Sequence, residues 1–479
     1  MKGAFFITRP ALPEGSLSTS PDTSIRRAAV TVSVLSGFIT PFMGSAVNVA
    51  LPAIAKNFGL DMVEINWVAT AYLLAAGMFL LPFGRLADIY GRKRVFVLGM
   101  LLYAATSALA ASATSGFFFI MCRALQGVAG AMVFGTGMAI LSSVYGPGER
   151  GKVLGLNVAA VYIGLSVGPP VGGLLTQSLG WRVIFWMMVP LSLAVAGIAW
   201  KGLQGEFAGA KGEKFDAPGM VLYASALLML LLGFSKLPHA VGLVLAVVGV
   251  LCLLLFFHRE LHTPTPLLDL RLLLNNRVFL FSNLAALANY GATAAVGFLL
   301  SLYLQYIHSL SPRDAGLVLM IQPLVMAALS PFAGRISDRV EARLVASFGM
   351  GLSVAGLSML FFLQASATSM EYVAVCLVVL GTGFALFSSP NTNAVMGSVE
   401  RRDMGVASAT LGTMRLVGQM MSMALTLAVM AALMHGEKTT PAVFPRFMLS
   451  LRAIFGISAA LCLAGVFASL ARGSHLKRA

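Results

Sequence analysis

Two arginines lie deep inside long apolar stretches of this sequence, Arg123 and Arg415. Each is followed within about one helical turn by a glutamine, Gln126 or Gln419, so the paired side chains share one face of a helix. A charge at the centre of a bilayer costs at least about 2.5–3.5 kcal/mol on insertion scales, and a charge retained there usually marks a path for a solute or an ion. For Arg415, a structural hydrogen-bond donor or a side chain that reaches to the bilayer surface is an equal alternative.

A second group of chemically active residues forms the stretch GRLADIYGRKR at residues 84–94. Gly84 and Gly91 permit close backbone approach at a tight turn. Asp88 can accept hydrogen bonds from Arg92 or from a neighbouring helix N-terminus, and such contacts would lock one orientation of a helical bundle. The other basic residues of the stretch are Arg85, Lys93 and Arg94. We expect the last two only to fix the orientation of the chain in the membrane.

The composition indicates that these groups are carried by a membrane protein. The chain is 58% hydrophobic and 11% charged, with a mean hydropathy of +0.87, whereas soluble proteins are about half apolar and about a quarter charged. The net charge of +15 does not indicate nucleic-acid binding, because the basic residues stand at the ends of apolar runs and form no continuous patch. The four cysteines lie in apolar runs without metal-ligand spacing, so we expect neither a metal site nor a cofactor.

Apolar runs of about 20 residues predict transmembrane helices, and we find fourteen. They are 28–55, 65–85, 94–112, 117–143, 152–176, 183–200, 218–235, 239–257, 278–305, 314–334, 343–364, 371–396, 405–433 and 450–471. Lys and Arg concentrate in alternate loops, which places both termini in the cytoplasm by the positive-inside rule. The sequence therefore predicts an all-α, multi-pass protein of the inner (plasma) membrane.

An internal repeat divides the chain. Residues 334–343, GRISDRVEAR, repeat the start of residues 84–94 at the end of a later span. The matching pairs are Gly84 and Gly334, Arg85 and Arg335, and Asp88 and Asp338. Two parallel six-helix halves with a site between them are typical of carriers that rock about their substrate. The expected segments are a cytoplasmic tail at 1–26, a first bundle at 27–200, a linker at 201–276 with the two extra helices, a second bundle at 277–472 and a tail at 473–479.

Several stretches resemble the major facilitator superfamily, in particular its fourteen-spanner drug:proton antiporters. They are GRLADIYGRKR at 84–94, RALQGVAGA at 123–131, GLSVGPPVGG at 164–173, NVALP at 48–52, WVATAYLLA at 67–75 and WRVIF at 181–185. The resemblance implies a gating latch, which would comprise Gly84, Arg85, Asp88, Gly91, Arg92 and Asp338. It also implies a proton relay or substrate site, for which the candidates are Arg123, Gln126, Asn48, Glu64 and Arg415. Small residues allow close helix packing and proline kinks a helix, so a hinge is expected at Gly164, Gly168, Pro169 and Gly172, although ordinary packing explains them as well.

The sequence departs from that family at one informative position. Antiporters of this branch usually carry an Asp five residues before Asn48, and this chain has Met43 there. All acidic residues fall in loops, in tails or at span ends. We therefore expect neutral or anionic amphiphiles to suit the two arginines better than cations, and proton coupling to use an unusual acid such as Glu64, Asp61 or Asp88. Polar or aromatic residues expected near the cavity are Asn48, Tyr72, Tyr162, Asn289, Tyr290, Tyr303, Gln322 and Asn393.

The function predicted from these observations is export of small amphiphilic compounds by alternating access, coupled to protons and carried out by a monomer in the lipid bilayer. Two alternatives remain. One is a lipid or anionic-metabolite exporter of the same fold, and the other is a membrane sensor that does not transport. A phosphate-binding GxxxxGK[ST] motif does not occur, which argues against ATP hydrolysis, and no soluble segment is long enough to form an enzyme domain.

Overall fold

The computed structural model describes residues 23–145, 147–236, 239–364, 368–400, 404–434 and 441–473. Every regular element in these ranges is helical. The expected N-terminal tail up to residue 22, the C-terminal tail from residue 474, and the turn residue Pro238 lie outside the described part of the chain. The Asp338 side chain also lies outside it, although its backbone belongs to a helix.

The prediction of fourteen spans is confirmed, because fourteen helical segments are long and apolar enough to cross a membrane. The helices of the first half are α1 (Thr23–Phe58), α2 (Met62–Tyr90), α3 (Arg92–Ala111), α4 (Gly116–Val144), α5 (Pro147–Ser178) and α6 (Arg182–Gly202). The extra hairpin is α7 (Ala217–Ser235) and α8 (Ala240–His262), and the short α9 (Leu270–Asn275) follows it. The remaining helices are α10 (Arg277–Thr293), α11 (Val296–Leu302), α12 (Pro312–Leu319), α13 (Ile321–Arg339), α14 (Ala342–Phe361), α15 (Met370–Gly397), α16 (Met404–Met434) and α17 (Phe444–Ala471).

The ninth span is less regular than the sequence predicts. The run 278–305 indicated one continuous helix, but the structure has α10, a break at Ala294 and Ala295, then α11 and a π-helical turn at Tyr303–Ile307. At the break, the Ala295 N–H donates to the hydroxyl of Ser422 on α16 at 3.1 Å. A side chain from another helix thus replaces a helical hydrogen-bond partner. Such irregular turns inside helices occur often at functional sites.

We call the face of the molecule that carries residues 84–94 the basic face, and the other end of the spans the opposite face. Near the opposite face, α1 of the first half meets α11 and the following π-helical turn. The Ser301 hydroxyl donates to the Asn48 carbonyl at 2.6 Å, and the Gln305 amide donates to the Val49 carbonyl at 2.9 Å. The two halves are therefore closed against each other at this end.

The extra hairpin packs against the seam between the two halves. On one side, the Tyr223 hydroxyl of α7 donates to the Gly77 carbonyl of α2 at 3.1 Å. On the other side, α7 contacts α16 of the second half. The hairpin thus touches an element of each half, while its second helix exposes apolar side chains such as Val244 and Leu254 on the lipid side.

Candidate functional site

Arg123 is sealed inside the first six-helix group. It is 2% exposed, its Nε donates to the Val68 carbonyl of α2 at 3.2 Å, and its Nη1 donates to the Gln126 side chain. Gln126 in turn donates to the hydroxyl of Ser107 on α3 at 2.8 Å. The guanidinium also lies 4.7 Å from the centre of the Tyr72 ring. These contacts form one closed network that satisfies a buried cation without a carboxylate.

Arg415 occupies a different environment. It stands 11 residues after the start of α16, about 16 Å along the helix and therefore near the middle of a hydrocarbon core of about 30 Å. Its Nη2 donates to the hydroxyl of Thr392 on α15 at 2.7 Å, and its Cζ lies 5.7 Å from the Tyr290 ring centre. Its Nε is buried and donates to no described group. This guanidinium retains an unused hydrogen-bond donor.

The residues around Arg415 come from both halves. The Tyr290 ring packs edge-on against Phe384, with centroids 5.2 Å apart. Phe384 belongs to a small buried cluster with Met326 of α13 and Tyr162 of α5, which is in the first half. The sequence places Tyr162 and Tyr290 among eight residues expected near the cavity, and the structure brings these two together near Arg415. A charge beside aromatic and apolar surfaces can bind an amphiphile through its polar group and its ring.

Acidic residues are absent from the middle of every span within the described ranges, as the sequence predicts. Met43 is 1% exposed in the position where related antiporters carry an Asp. Glu64 and Asp61 form a capping box at the start of α2, in which each carboxylate accepts the other residue's backbone N–H. Glu64 is exposed and engaged in a helix cap, and among the described residues its carboxylate forms no ion pair with Arg123.

The latch residues of the basic face are paired with each other. The Arg92 Nε donates to Asp88 at 2.8 Å, and its Nη1 donates to the Ala139 carbonyl of α4 at 3.2 Å. Gly91 joins α2 to α3 with a φ of +115°, a backbone conformation that favours glycine. The predicted hydrogen bond between Asp88 and Arg92 is thus present, and it stays inside the first half.

The linker after α6 covers this latch. The Ala210 N–H donates to the Asp88 carbonyl at 2.9 Å, and Glu213 forms an ion pair with Arg85. The expectation that Lys93 and Arg94 only fix topology was incomplete. The Lys93 ammonium donates to the Leu203 carbonyl, and the Arg94 guanidinium lies 3.2 Å from Glu206. The complementary charges of the linker and the latch were visible in the sequence and could have indicated this contact.

The proposed hinge residues fall into two groups. Gly164, Gly168 and Gly172 face α1 within the same half, where a Cβ on Gly164 would stand 2.6 Å from the Phe38 carbonyl oxygen. The next glycine, Gly173, instead faces the Pro312 carbonyl of α12 in the other half. The reciprocal contact is made by Gly316 of α12, which faces the Pro169 carbonyl of α5. The backbones of α5 and α12 approach each other only because these positions lack side chains.

Two buried charged sites were missed by the sequence reasoning. Arg472, at the expected boundary of the C-terminal tail, is 2% exposed and donates to the Asn391 side chain at 3.1 Å. Burial lowers the pKa of this guanidinium to about 10. At the base of the hairpin, Asp216 accepts from Arg259 at 2.8 Å, and the neighbouring Glu260 is 2% exposed. All four charged residues of these sites, Arg472, Asp216, Arg259 and Glu260, stand at span ends, where a hydropathy pattern does not distinguish buried from exposed charge.

The comparisons with known proteins agree on one family. A family model described as Major Facilitator Superfamily matches residues 33–423. The chain is 34% identical over 382 residues to the riboflavin transporter RibZ of Clostridioides difficile, covering 79% of this chain and 82% of the relative. It is 30% identical over 419 residues to the cephamycin export protein CmcT of Amycolatopsis lactamdurans, with 85% of each chain covered. It is 28% identical to the multidrug resistance protein Stp of Mycobacterium tuberculosis over 419 residues, covering 84% and 77%.

Solved structures show the same fold. A bacterial homologue of the human lysosomal transporter Spinster aligns with a TM-score of 0.68 at 15% identity, covering 94% of this chain and 98% of that one. A peptide transporter POT bound to sulfate aligns with a TM-score of 0.67 at 15% identity, covering 92% and 94%. The arrangement of helices is therefore one that solved transporters share.

Proposed function

The chain belongs to the major facilitator superfamily, and we propose that it exports small amphiphilic compounds by alternating access, driven by proton entry. Relatives named for cephamycin export and for multidrug resistance support export. The proposed substrates are neutral or anionic amphiphiles, and the transporting unit is a monomer. The basic face is the cytoplasmic face in this proposal, with both termini on that side of the inner membrane.

The observation that carries the substrate proposal is the environment of Arg415. It is a permanent cation between residues of both halves, with a buried Nε that donates to no described group. Among the described residues no carboxylate pairs with it. A carbonyl, carboxylate or sulfonate oxygen of a substrate can accept that hydrogen bond, whereas a cationic dye gains nothing and is repelled.

Alternating access is supported by where the halves touch. They close at the opposite face through Asn48 and Ser301, while the Asp88–Arg92 latch makes its contacts within the first half. In the proposed cycle, this is the state open to the cytoplasm. The outward state would break the contact between Ser301 and Asn48. It would bring the latch of residues 84–94 in the first half against the second half, where Asp338 lies.

Proton coupling needs a group whose protonation changes with access. With Met43 in the usual Asp position, the carboxyl groups left for this role stand at span ends. Asp61 and Glu64 lie at the opposite face, and Asp88 lies at the basic face. In the proposed mechanism, Arg123 and Gln126 stabilise the first half and do not move a proton, because their network is closed.

A second candidate function is transport of a planar neutral metabolite. It is favoured by the combination of the Tyr290 and Phe384 rings with the Arg415 donor. The relative RibZ is named as a riboflavin transporter. This candidate uses the same site and the same cycle. It differs from multidrug export only in the range of compounds accepted.

The experiment that tests the proposal measures flux in proteoliposomes under an imposed pH gradient. Three fluorescent compounds are compared: fluorescein as the anion, riboflavin as the neutral planar compound and ethidium as the cation. We expect transport of the first or second to exceed that of ethidium by about tenfold, the factor that one charge-assisted hydrogen bond of about 1.4 kcal/mol provides. Nigericin, which collapses the pH gradient, should stop the flux.

Each contrary result has a distinct meaning. Preferred transport of ethidium would contradict the role assigned to Arg415. Flux that continues unchanged with the gradient collapsed would exclude proton drive. Absence of flux for all three compounds, and for a wider panel, would favour the sensor alternative.

A further inference from the structure

A cavity of about 220 Å³ lies between the extra hairpin and the seam of the two halves. Its walls come from three parts of the molecule, represented by Leu81 of α2, Leu227 of α7 and Val417 of α16. This volume is about 15 times the ~15 Å³ that one water needs. It therefore admits a molecule of substantial size.

The chemistry of the walls is apolar throughout. Its two polar side chains, Tyr223 and Thr413, donate their hydroxyl protons to the main-chain carbonyls of Gly77 and Ala409, at 3.1 and 3.0 Å. No wall group is left to hold a water, and a cavity of this kind stays dry. A hydrocarbon chain is the occupant that fits such walls.

The cavity opens toward the lipid and not toward the path between the halves. Phe234, Phe257 and Met421 line it, and each is 38% exposed, on helices that cross the membrane. Arg415 points from the same helix as Val417 toward Tyr290 and Thr392, and it does not line the cavity. Acyl chains of the surrounding bilayer are thus the hydrocarbon with direct access.

The charges near the basic end of the cavity favour an anionic headgroup. The wall residues Phe257 and Leu268 are close in sequence to Arg259 and Arg271. Arg259 is 40% exposed while its partner Asp216 is 1% exposed. Arg271 is exposed, and the neighbouring carboxylate of Glu260 is buried. Cations therefore face outward and acids inward, which attracts a phosphate at the membrane surface.

We propose that this cavity is a binding site for an anionic phospholipid of the leaflet at the basic face. One acyl chain fills the space between α7, α2 and α16, and the phosphate binds Arg259 and Arg271. Because the walls include residues of both halves, the bound chain spans the seam that changes when the halves rock. The extra hairpin thereby serves to hold a lipid at this seam.

The test uses the full chain in phosphatidylcholine vesicles that contain a trace of phosphatidylglycerol or phosphatidylcholine with a photoactivatable acyl chain. Cross-linked peptides are mapped by mass spectrometry. We expect phosphatidylglycerol to label α7 and α16 around the cavity, and Val417→Phe, which fills the space, to reduce the labelling about tenfold, equivalent to about 1.4 kcal/mol. Met421→Trp at the rim is the second variant, should Val417→Phe not fold.

The headgroup is tested with Arg271→Gln. It should reduce phosphatidylglycerol labelling about fivefold, the factor that ~1 kcal/mol per surface arginine supplies, and leave phosphatidylcholine labelling unchanged. The matched controls are Val247→Phe, on a lipid-facing position of α8 that does not line the cavity, and Lys201→Gln, an exposed cation at the end of α6. Neither control should change the labelling.

Three results would overturn the assignment. Labelling that is unaffected by both cavity variants would place the chain elsewhere. Equal labelling by the two lipids, or no effect of Arg271→Gln, would remove the headgroup selectivity. Displacement of the lipid by fluorescein or riboflavin would assign the cavity to a transported compound.

Discussion

The two halves of the molecule surround a buried arginine with different hydrogen-bond partners. In the first half, Arg123 is closed into a network with Gln126 and the Val68 carbonyl. In the second half, Arg415 bonds to Thr392 and keeps a free Nε near residues of both halves. The helices differ as well. In the first half α1 to α6 run unbroken, whereas the ninth span of the chain, which belongs to the second half, is interrupted at Ala294 and Ala295.

Under the proposed function, depth in a membrane does not by itself identify a binding residue. The two arginines have similar sequence contexts, each with a glutamine one turn away. They differ in that Arg415 has a buried nitrogen without a hydrogen-bond partner, whereas no buried nitrogen of Arg123 lacks one among the described residues. A cation with satisfied donors stabilises a helix bundle. Arg415, with its spare donor at an interface, is the cation that we propose binds the substrate.

The largest effect is expected for Arg123→Met. It leaves the Gln126 side chain and the Val68 carbonyl without their charged partner, at a cost of about 3 kcal/mol or more. The variant should give a lower yield of folded, monodisperse protein in detergent, as measured by size exclusion. It should also unfold at a lower temperature, as measured by thermal denaturation. The control is Leu125→Met on the exposed side of α4. If Arg123→Met is as stable as the wild type and only fails to transport, the two arginines share a functional role and the comparison is wrong.

An intermediate effect is expected for Gly173→Ala, at the close approach of the two halves. The added methyl group meets the Pro312 carbonyl of α12, and overpacking typically costs about 1–3 kcal/mol. Because the clash exists only when the opposite face is closed, the population should shift toward the outward-open state, visible as a longer distance between spin labels on the two halves. Gly197→Ala on α6, where a Cβ meets nothing within 4 Å, is the control. An unchanged distance distribution would show that this contact does not limit the motion.

The smallest expected effect is on the pH dependence of the protein's stability. Neither arginine changes charge between pH 5 and 8, so a pH dependence there must come from other groups. Burial lowers the pKa of His308, whose Nε2 lies 2.9 Å from the Tyr303 hydroxyl. Since the unfolded chain then binds a proton more readily than the folded protein, stability should fall as pH drops below about 6.5.

The measurement is the difference in melting temperature between pH 7.5 and pH 5.5. It should be smaller in His308→Gln than in the wild type, and His258→Gln, an exposed histidine of α8, should behave as the wild type. An equal pH dependence in all three proteins would remove His308 as its source.

Much of the fold could be predicted from the sequence because hydropathy and loop charge act locally. The span count, the hairpin at 218–257 and the partnership of Asp88 with Arg92 all follow from such patterns, and the structure has each of them. The break at Ala295 could not be predicted, since its partner Ser422 is 127 residues away.

The candidate site was predictable only in part. The sequence identified both arginines and the missing acid at Met43, but their roles depend on tertiary neighbours. Tyr162 and Phe384 approach the Arg415 region from different halves, which no periodicity encodes. The same holds for Glu206 and Glu213, whose pairing with the latch requires the linker to fold back over it.

The central claim is that the free donor of Arg415 selects the substrate. The most direct measurement is the affinity of purified protein for fluorescein and for ethidium, in the wild type, Arg415→Lys and Arg415→Gln. The account predicts that Arg415→Gln folds normally, binds fluorescein at least about tenfold more weakly and gains affinity for ethidium, with Arg415→Lys in between. Unchanged affinity of Arg415→Gln for both compounds would contradict it.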